Sequence, residues 1–276
     1  MSKIGLIQVR GLGDCIIILP IAQWLHSQGH DVYIALDSRY CEQFQYAAPY
    51  CTFVPVPFDI FDPTKGIHNE YWYEYPHKLL QERGCDTIIS FPQHESILLE
   101  RHPHLQASLG HRVAGPYERR AYESKAVRHL KFDEYKYFVA NMPLRLKWTL
   151  ALQRNPEREQ ALYDKLVDPT RKQLVCHLDG SNFSINPETL NVDASVYQVI
   201  QITPDQTNNI FDWLLILERA DTLLMIDSVF FNIVEQLNLP NRKYFVRRSP
   251  RESTPVIGNQ WGFVAVDVPD ENTLFG

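Results

Sequence analysis

The stretch Arg10-Gly11-Leu12-Gly13-Asp14 places two glycines, a carboxylate and a guanidinium within one turn of chain. Glycines let a backbone approach a ligand closely, and a helix beginning here offers free N–H groups and a partial positive charge to a phosphate or other anion. The residues alone leave two readings of this turn open. One is a dinucleotide fingerprint, G-x-G-x-x-G, of which only half is present because Ile16 occupies the third glycine position. The other is that Asp14 simply caps the helix that follows. Two further stretches have the same character: Asp179-Gly180-Ser181-Asn182 and Asp227-Ser228, each directly after an apolar run.

The elements that must position these turns can be read from the flanking residues. Residues 3–9 are short and mostly apolar, as expected of a strand buried on both faces of a parallel sheet. Residues 15–29 continue as an apolar helix ending at Gly29, a good residue for the position after a helix. Strands are predicted at 31–36, 51–56 with Pro55 marking an edge, and 86–91, the clearest interior strand of this half. Helices are predicted at 42–48, 68–83 and 95–109, and the aromatic group Tyr71-Trp72-Tyr73 reads as packing. A polar, helix-prone connection follows over 144–167, with Asn155-Pro156 starting a helix and Asp168-Pro169 closing it. Beyond it the pattern repeats: strands at 173–178, 196–202, 222–226 and 243–246, and helices at 209–220 and 229–237. Alternating strands and helices in both halves predict an α/β protein.

Composition narrows the function class. A chain of 276 residues with 45% hydrophobic and 22% charged residues is that of a soluble globular protein of two domains. A net charge of −6 supplies no global basic field for a nucleic-acid backbone, although a local patch stays open. No apolar run spans a bilayer and no secretory leader is recognisable, so a cytoplasmic protein is expected. Cys15, Cys41, Cys51, Cys85 and Cys176 form no C-x-x-C pair, and His94, His102, His104 and His111 lack metal-ligand spacing, so neither a disulfide framework nor a metal site is expected. A kinase-type phosphate loop and a hydrolase nucleophile elbow are also missing.

Residues 3–36, with Gly13-Asp14 in the turn and Gly29-His30-Asp31-Val32 entering the second strand, resemble the N-terminus of the heptosyltransferase-like glycosyltransferases, glycosyltransferase family 9. Residues 86–115, ending in Gly110-His111-Arg112-Val113-Ala114-Gly115, resemble that family's strand, helix and glycine-arginine-valine-glycine segment. Residues 210–246 resemble its helix, alanine-aspartate, apolar strand, D-[ST]-G-x-x-H, helix, proline and strand. Val229 stands where the family has glycine, Asn232 where it has histidine, and no lysine follows the Gly180-Ser181 turn over residues 182–186.

The resemblance implies a GT-B architecture, two Rossmann-like domains facing across a cleft, with an acceptor-side domain over 1–150 and a nucleotide-sugar-binding domain over 151–276. It implies metal-independent, inverting transfer of a sugar from a nucleotide-diphosphate donor to a hydroxyl of a saccharide or other polar acceptor, with no cofactor. Asp14 is then the catalytic base. Gly180, Ser181, Asp227, Ser228 and Asn232 fall on the donor side, and Arg10, Gly11, Gly13, Arg112 and Arg120 on the acceptor side. Two other classes remain: a catalytically inactive GT-B protein that binds nucleotide or glycan without turnover, and a nucleotide-linked oxidoreductase.

Overall fold

Strands alternate with helices throughout the computed structural model, which describes residues 2–61, 70–91, 131–180, 184–186, 193, 195–247, 255–258 and 260–265. The chain divides into two compact units, Met1–Gln153 and Arg154–Gly276.

In the first unit, β1 (Lys3–Ile7), β2 (Asp31–Asp37), β3 (Thr52–Val56) and β4 (Thr87–Ser90) form one parallel sheet in the order β3-β2-β1-β4. Pro55 sits on β3 at one end of that order, where a missing N–H disrupts no further ladder. The strand read as the clearest interior one, β4, pairs only with β1 among the described residues. Helix α1 (Leu12–Ser27) is buried on almost every side from Cys15 to Ala22, as its all-round apolar sequence requires. Gly29 takes φ +85 directly after it, and His30 N–H returns to the Leu25 carbonyl at 3.2 Å. Helices α2 (Cys41–Ala47) and α3 (Tyr75–Glu82) cover the sheet, α3 being preceded by a π-helical turn over Glu70–Glu74. Tyr71 is fully buried with Ile7, Val9, Ala35, Val54, Val56 and Leu80, so it is core, as its composition suggested. The predicted helix over 95–109 lies outside the described residues. Helix α4 (Phe132–Val139) and a 3-10 segment, Leu144–Thr149, pack on α1, joined by a wholly buried ion pair, Lys147 Nζ to Asp133 Oδ2 at 2.6 Å.

The second unit opens with α5 (Pro156–Leu166), where Asn155 caps the helix by accepting from Arg158 N–H at 3.2 Å and Pro156 is its first residue. Five parallel strands follow, β5 (Lys172–His177), β6 (Tyr197–Gln201), β7 (Thr222–Met225), β8 (Arg242–Arg247) and β9 (Trp261–Ala265), in the order β6-β5-β7-β8-β9. The segment read as one helix over 209–220 is instead a 3-10 turn, Ile210–Trp213, followed by α6 (Leu214–Arg219). The Asn209 side chain caps the tight turn by accepting from Phe211 N–H at 3.0 Å, and Asp212 is held by Arg158 at 2.7 and 2.8 Å. Helix α7 (Val229–Gln236) sets Phe231 against Phe245 of β8 and Trp261 of β9, and Leu174, Cys176, Leu178, Ile185, Leu224, Ile226 and Val246 make a core cluster.

Candidate functional site

Parallel sheets bind ligands beyond the carboxyl ends of their strands, where the strand order reverses direction. In the first unit the order reverses at β1, which is flanked by β2 and β4, and residues 10–14 form the turn at its carboxyl end. In the second unit it reverses at β5, flanked by β6 and β7, so the turns after His177 and after Met225 occupy the corresponding places. The three stretches singled out from residue type are thus the ones topology selects.

Asp14 is not the helix cap. Gly11 holds that position with φ +79, Cys15 N–H donates to its carbonyl at 2.9 Å, and Asp14 is the third helical residue. The glycine's left-handed backbone brings the chain into α1 three residues earlier than a capping aspartate at position 14 would. Glycine is needed here twice over, since a Cβ built on Gly11 would overlap Asp14 Oδ2. Gly13, the second helical residue, is partly exposed.

The Asp14 carboxylate has two unlike oxygens. Oδ1 is shut off from solvent and lies 3.1 Å from Lys136 Nζ on α4. The side chain as a whole is 23% exposed, so its solvent contact is made through atoms other than Oδ1. Lys136 is 1% exposed and also donates to Gln8 Oε1 at 2.7 Å, while Gln8 Nε2 donates to the Arg10 carbonyl at 2.7 Å. One network therefore ties α4 to the end of β1 and to the turn. Burial pushes the Asp14 carboxyl above the usual carboxylate range, and the ammonium of Lys136 draws it back down.

Arg10 stacks its guanidinium over Phe61 at 4.3 Å and over Phe58 at 5.6 Å. Arg39 lies 3.5 Å over Phe58 and grips the fully buried Asp37 through two hydrogen bonds of 2.9 and 2.6 Å, with Tyr71 O–H donating to the same carboxylate at 2.8 Å. Two arginines are thus held on one aromatic platform beside the turn. Arg112 and Arg120 lie outside the described residues.

In the second unit, Gly180 is partly exposed after β5, and Ser181 lies outside the described residues. Ser228 is the cap of α7, its Oγ accepting from Phe231 N–H at 3.3 Å, and Asp227 precedes it. Asn232 lies one turn into α7 at 2% exposure, its amide donating to the Ser228 carbonyl at 2.9 Å, while its Oδ1 is buried with no hydrogen-bond partner among the described residues. It therefore stands behind the cap.

Two residues of these surroundings were missed by sequence reasoning. Lys136 had one signal, a lone cation inside the aromatic run 135–139. His177 ends β5 with its ring 4.9 Å from Phe230 and its Nδ1 buried with no hydrogen-bond partner among the described residues, and burial pushes the imidazole down to about 4. An unfolded histidine takes up its proton near pH 6.5 while this one stays neutral to about pH 4, so the fold loses stability as pH falls through that window. Chemical denaturation at pH 7 and pH 5 should show a loss of about 2 kcal/mol from this group. His177→Phe should remove that loss, and a variant with undiminished pH dependence would assign it elsewhere. The carboxylates held below their usual range, Asp37, Asp168, Asp193 and Asp205, act at lower pH.

No family model matches this chain, and no curated protein does. Solved structures do. Over 96% of this chain it is similar to ADP-heptose lipopolysaccharide heptosyltransferase II of E. coli, at 11% identity and a TM-score of 0.58, covering 90% of that protein. The chain has the heptosyltransferase-like GT-B fold. A glycosyltransferase of family 9 from Veillonella parvula shares this fold at 13% identity and a TM-score of 0.55, with 96% of this chain and 85% of that one covered. E. coli heptosyltransferase WaaC, solved with ADP, shares it at 10% identity and a TM-score of 0.55, with 96% and 93% covered. The GT-B fold accounts for the two parallel sheets and their paired reversal points. Among the described residues no helix is long and apolar enough to cross a membrane, and no three His, Cys, Asp or Glu side chains are grouped to hold a metal.

Proposed function

We propose that this protein is a metal-independent, inverting glycosyltransferase that moves a sugar from a nucleotide-diphosphate donor to a hydroxyl of a saccharide or other polar acceptor. The observation that carries this reading is the Asp14 carboxylate at the reversal point of the first sheet, with Oδ1 sealed against Lys136 and solvent reaching the remainder. In this reading Asp14 takes the proton of the acceptor hydroxyl as its oxygen attacks the anomeric carbon. The bond from that carbon to the diphosphate oxygen breaks, and its electron pair leaves with the nucleoside diphosphate. A carboxyl held above its usual range is a stronger base than a free aspartate. Arg10, Gly11 and Gly13, with Arg112 and Arg120, are assigned to the acceptor. Gly180, Ser181, Asp227, Ser228 and Asn232 are assigned to the donor, whose leaving charge would fall on the N-terminus of α7 and the Ser228 hydroxyl. The ADP of the WaaC structure and the ADP-heptose of heptosyltransferase II support a nucleoside-diphosphate donor here.

Thermal denaturation with nucleoside diphosphates, nucleotide sugars, NAD and NADP tests the ligand class. A nucleoside diphosphate at about 100 times its dissociation constant should stabilise the fold by about 2.7 kcal/mol. Stabilisation by NAD or NADP alone would replace this reading with an oxidoreductase. Ser228→Ala should destabilise the free protein by about 0.5–1 kcal/mol, because the cap bond is long at 3.3 Å. It should also weaken nucleotide binding by about 0.5–1.5 kcal/mol. Unchanged nucleotide affinity would make Ser228 a cap only.

A further inference from the structure

Lys136 has no obvious reason to be buried. It sits on α4 at 1% exposure, its ammonium 5.8 Å over the Phe91 ring, and a cation in such a place requires a carboxylate. The charged and titratable groups on the elements packed around the first turn of α1 are few among the described residues. Asp133 on α4 and Lys147 in the 3-10 segment pair with each other at 2.6 Å. Asp37 on β2 is held by Arg39 and Tyr71. Cys15, on α1 itself, and Cys41, on α2, are thiols that burial keeps protonated. Arg10 lies over its phenylalanines. Among the described residues Lys136 is the cation paired with Asp14, its Nζ 3.1 Å from Oδ1.

We propose that Lys136 is a positioning residue of the transfer reaction: by holding Oδ1 from α4, with Gln8 fixing its own ammonium, it leaves Oδ2 as the oxygen that receives the acceptor's proton. This role rests on Asp14 being the base. The chemistry follows from charge. Protonating Asp14 leaves Lys136 as a buried cation beside a neutral acid, so the pair resists protonation and the base stays ionised although its surroundings favour the neutral form. The proton taken from the acceptor resides on Oδ2.

The decisive measurement is the titration of the Asp14 carboxyl carbon by NMR in aspartate-labelled protein, the resonance being assigned by its loss in Asp14→Asn. Lys136→Met and Lys136→Gln should each move the midpoint upward by about one pH unit or more. The acid limb of the pH–rate profile of transfer should move with it, so that activity lost at low pH returns at higher pH. An unchanged midpoint in either folded variant would leave Lys136 a packing residue, whatever happens to stability. The unsubstituted protein supplies a check independent of both variants: the Lys136 Nζ resonance must step at the Asp14 midpoint, and the absence of a step would overturn the proposal. The two readings fail separately. Transfer at the unsubstituted rate by Asp14→Asn would remove the base itself. An inactive Asp14→Asn beside Lys136 variants of unaltered pH–rate profile would remove only the role of Lys136.

Discussion

Asp14→Asn should lower the rate of sugar transfer by roughly two to four orders of magnitude while nucleotide binding in the second unit is retained. The amide keeps the shape of the carboxylate and one oxygen for Lys136 Nζ, but it cannot accept the acceptor's proton. The variant should not be neutral for the fold. A capping aspartate would be replaced by asparagine almost without cost, whereas this one balances a buried ammonium. Breaking a fully buried pair costs about 3–5 kcal/mol, and the part of Asp14 open to solvent reduces this to about 1–3 kcal/mol. Asp14→Asn combined with Lys136→Met removes both charges and should recover stability but not transfer. A single variant that transfers at the unsubstituted rate would return Asp14 to the status of a first-turn acid on a helix.

Lys147→Met should be strongly destabilising, at about 3–5 kcal/mol by chemical denaturation, because it removes the buried ammonium that faces Asp133. Asp133→Leu together with Lys147→Met should restore most of that loss, as replacing both members of a buried pair does. The consequence for function runs through α4, which carries both Asp133 and Lys136. Weakening this helix should loosen the hold on Asp14, so transfer should fall before the rest of the protein unfolds. A change in stability of less than about 0.5 kcal/mol on Lys147→Met would show that the pair does not anchor α4.

The parts of this molecule legible in the sequence are those fixed by local chemistry. Gly29 after α1, Asn155-Pro156 at the start of α5 and Pro55 on β3 each act through their own backbone or the next turn, and the structure finds them in those roles. The turn at 10–14 was legible for the same reason, since glycines and a carboxylate after an apolar strand have few uses. What sequence misplaced is what depends on partners far along the chain. Asp14 reads as a cap because a cap needs only the next three residues, whereas its actual partner is Lys136 on α4. Lys136 and His177 were passed over because burial, not spacing, makes them unusual. The tight turn before α6 was hidden in an apolar pattern that helices and 3-10 segments share, and Asp212 became visible only with Arg158 beside it. Arg112, Arg120 and Ser181 remain proposals from residue type and resemblance.

Sugar transfer by the unsubstituted protein separates an enzyme from a protein that only binds. The protein would be incubated with a panel of nucleotide-diphosphate sugars and saccharide acceptors, following the released nucleoside diphosphate by chromatography and the glycosylated acceptor by mass spectrometry. At least one donor should release its nucleoside diphosphate in step with acceptor glycosylation, with the anomeric configuration of the transferred sugar inverted. Nucleotide binding with no transfer from any donor to any acceptor would contradict it and leave a GT-B protein that binds without turnover.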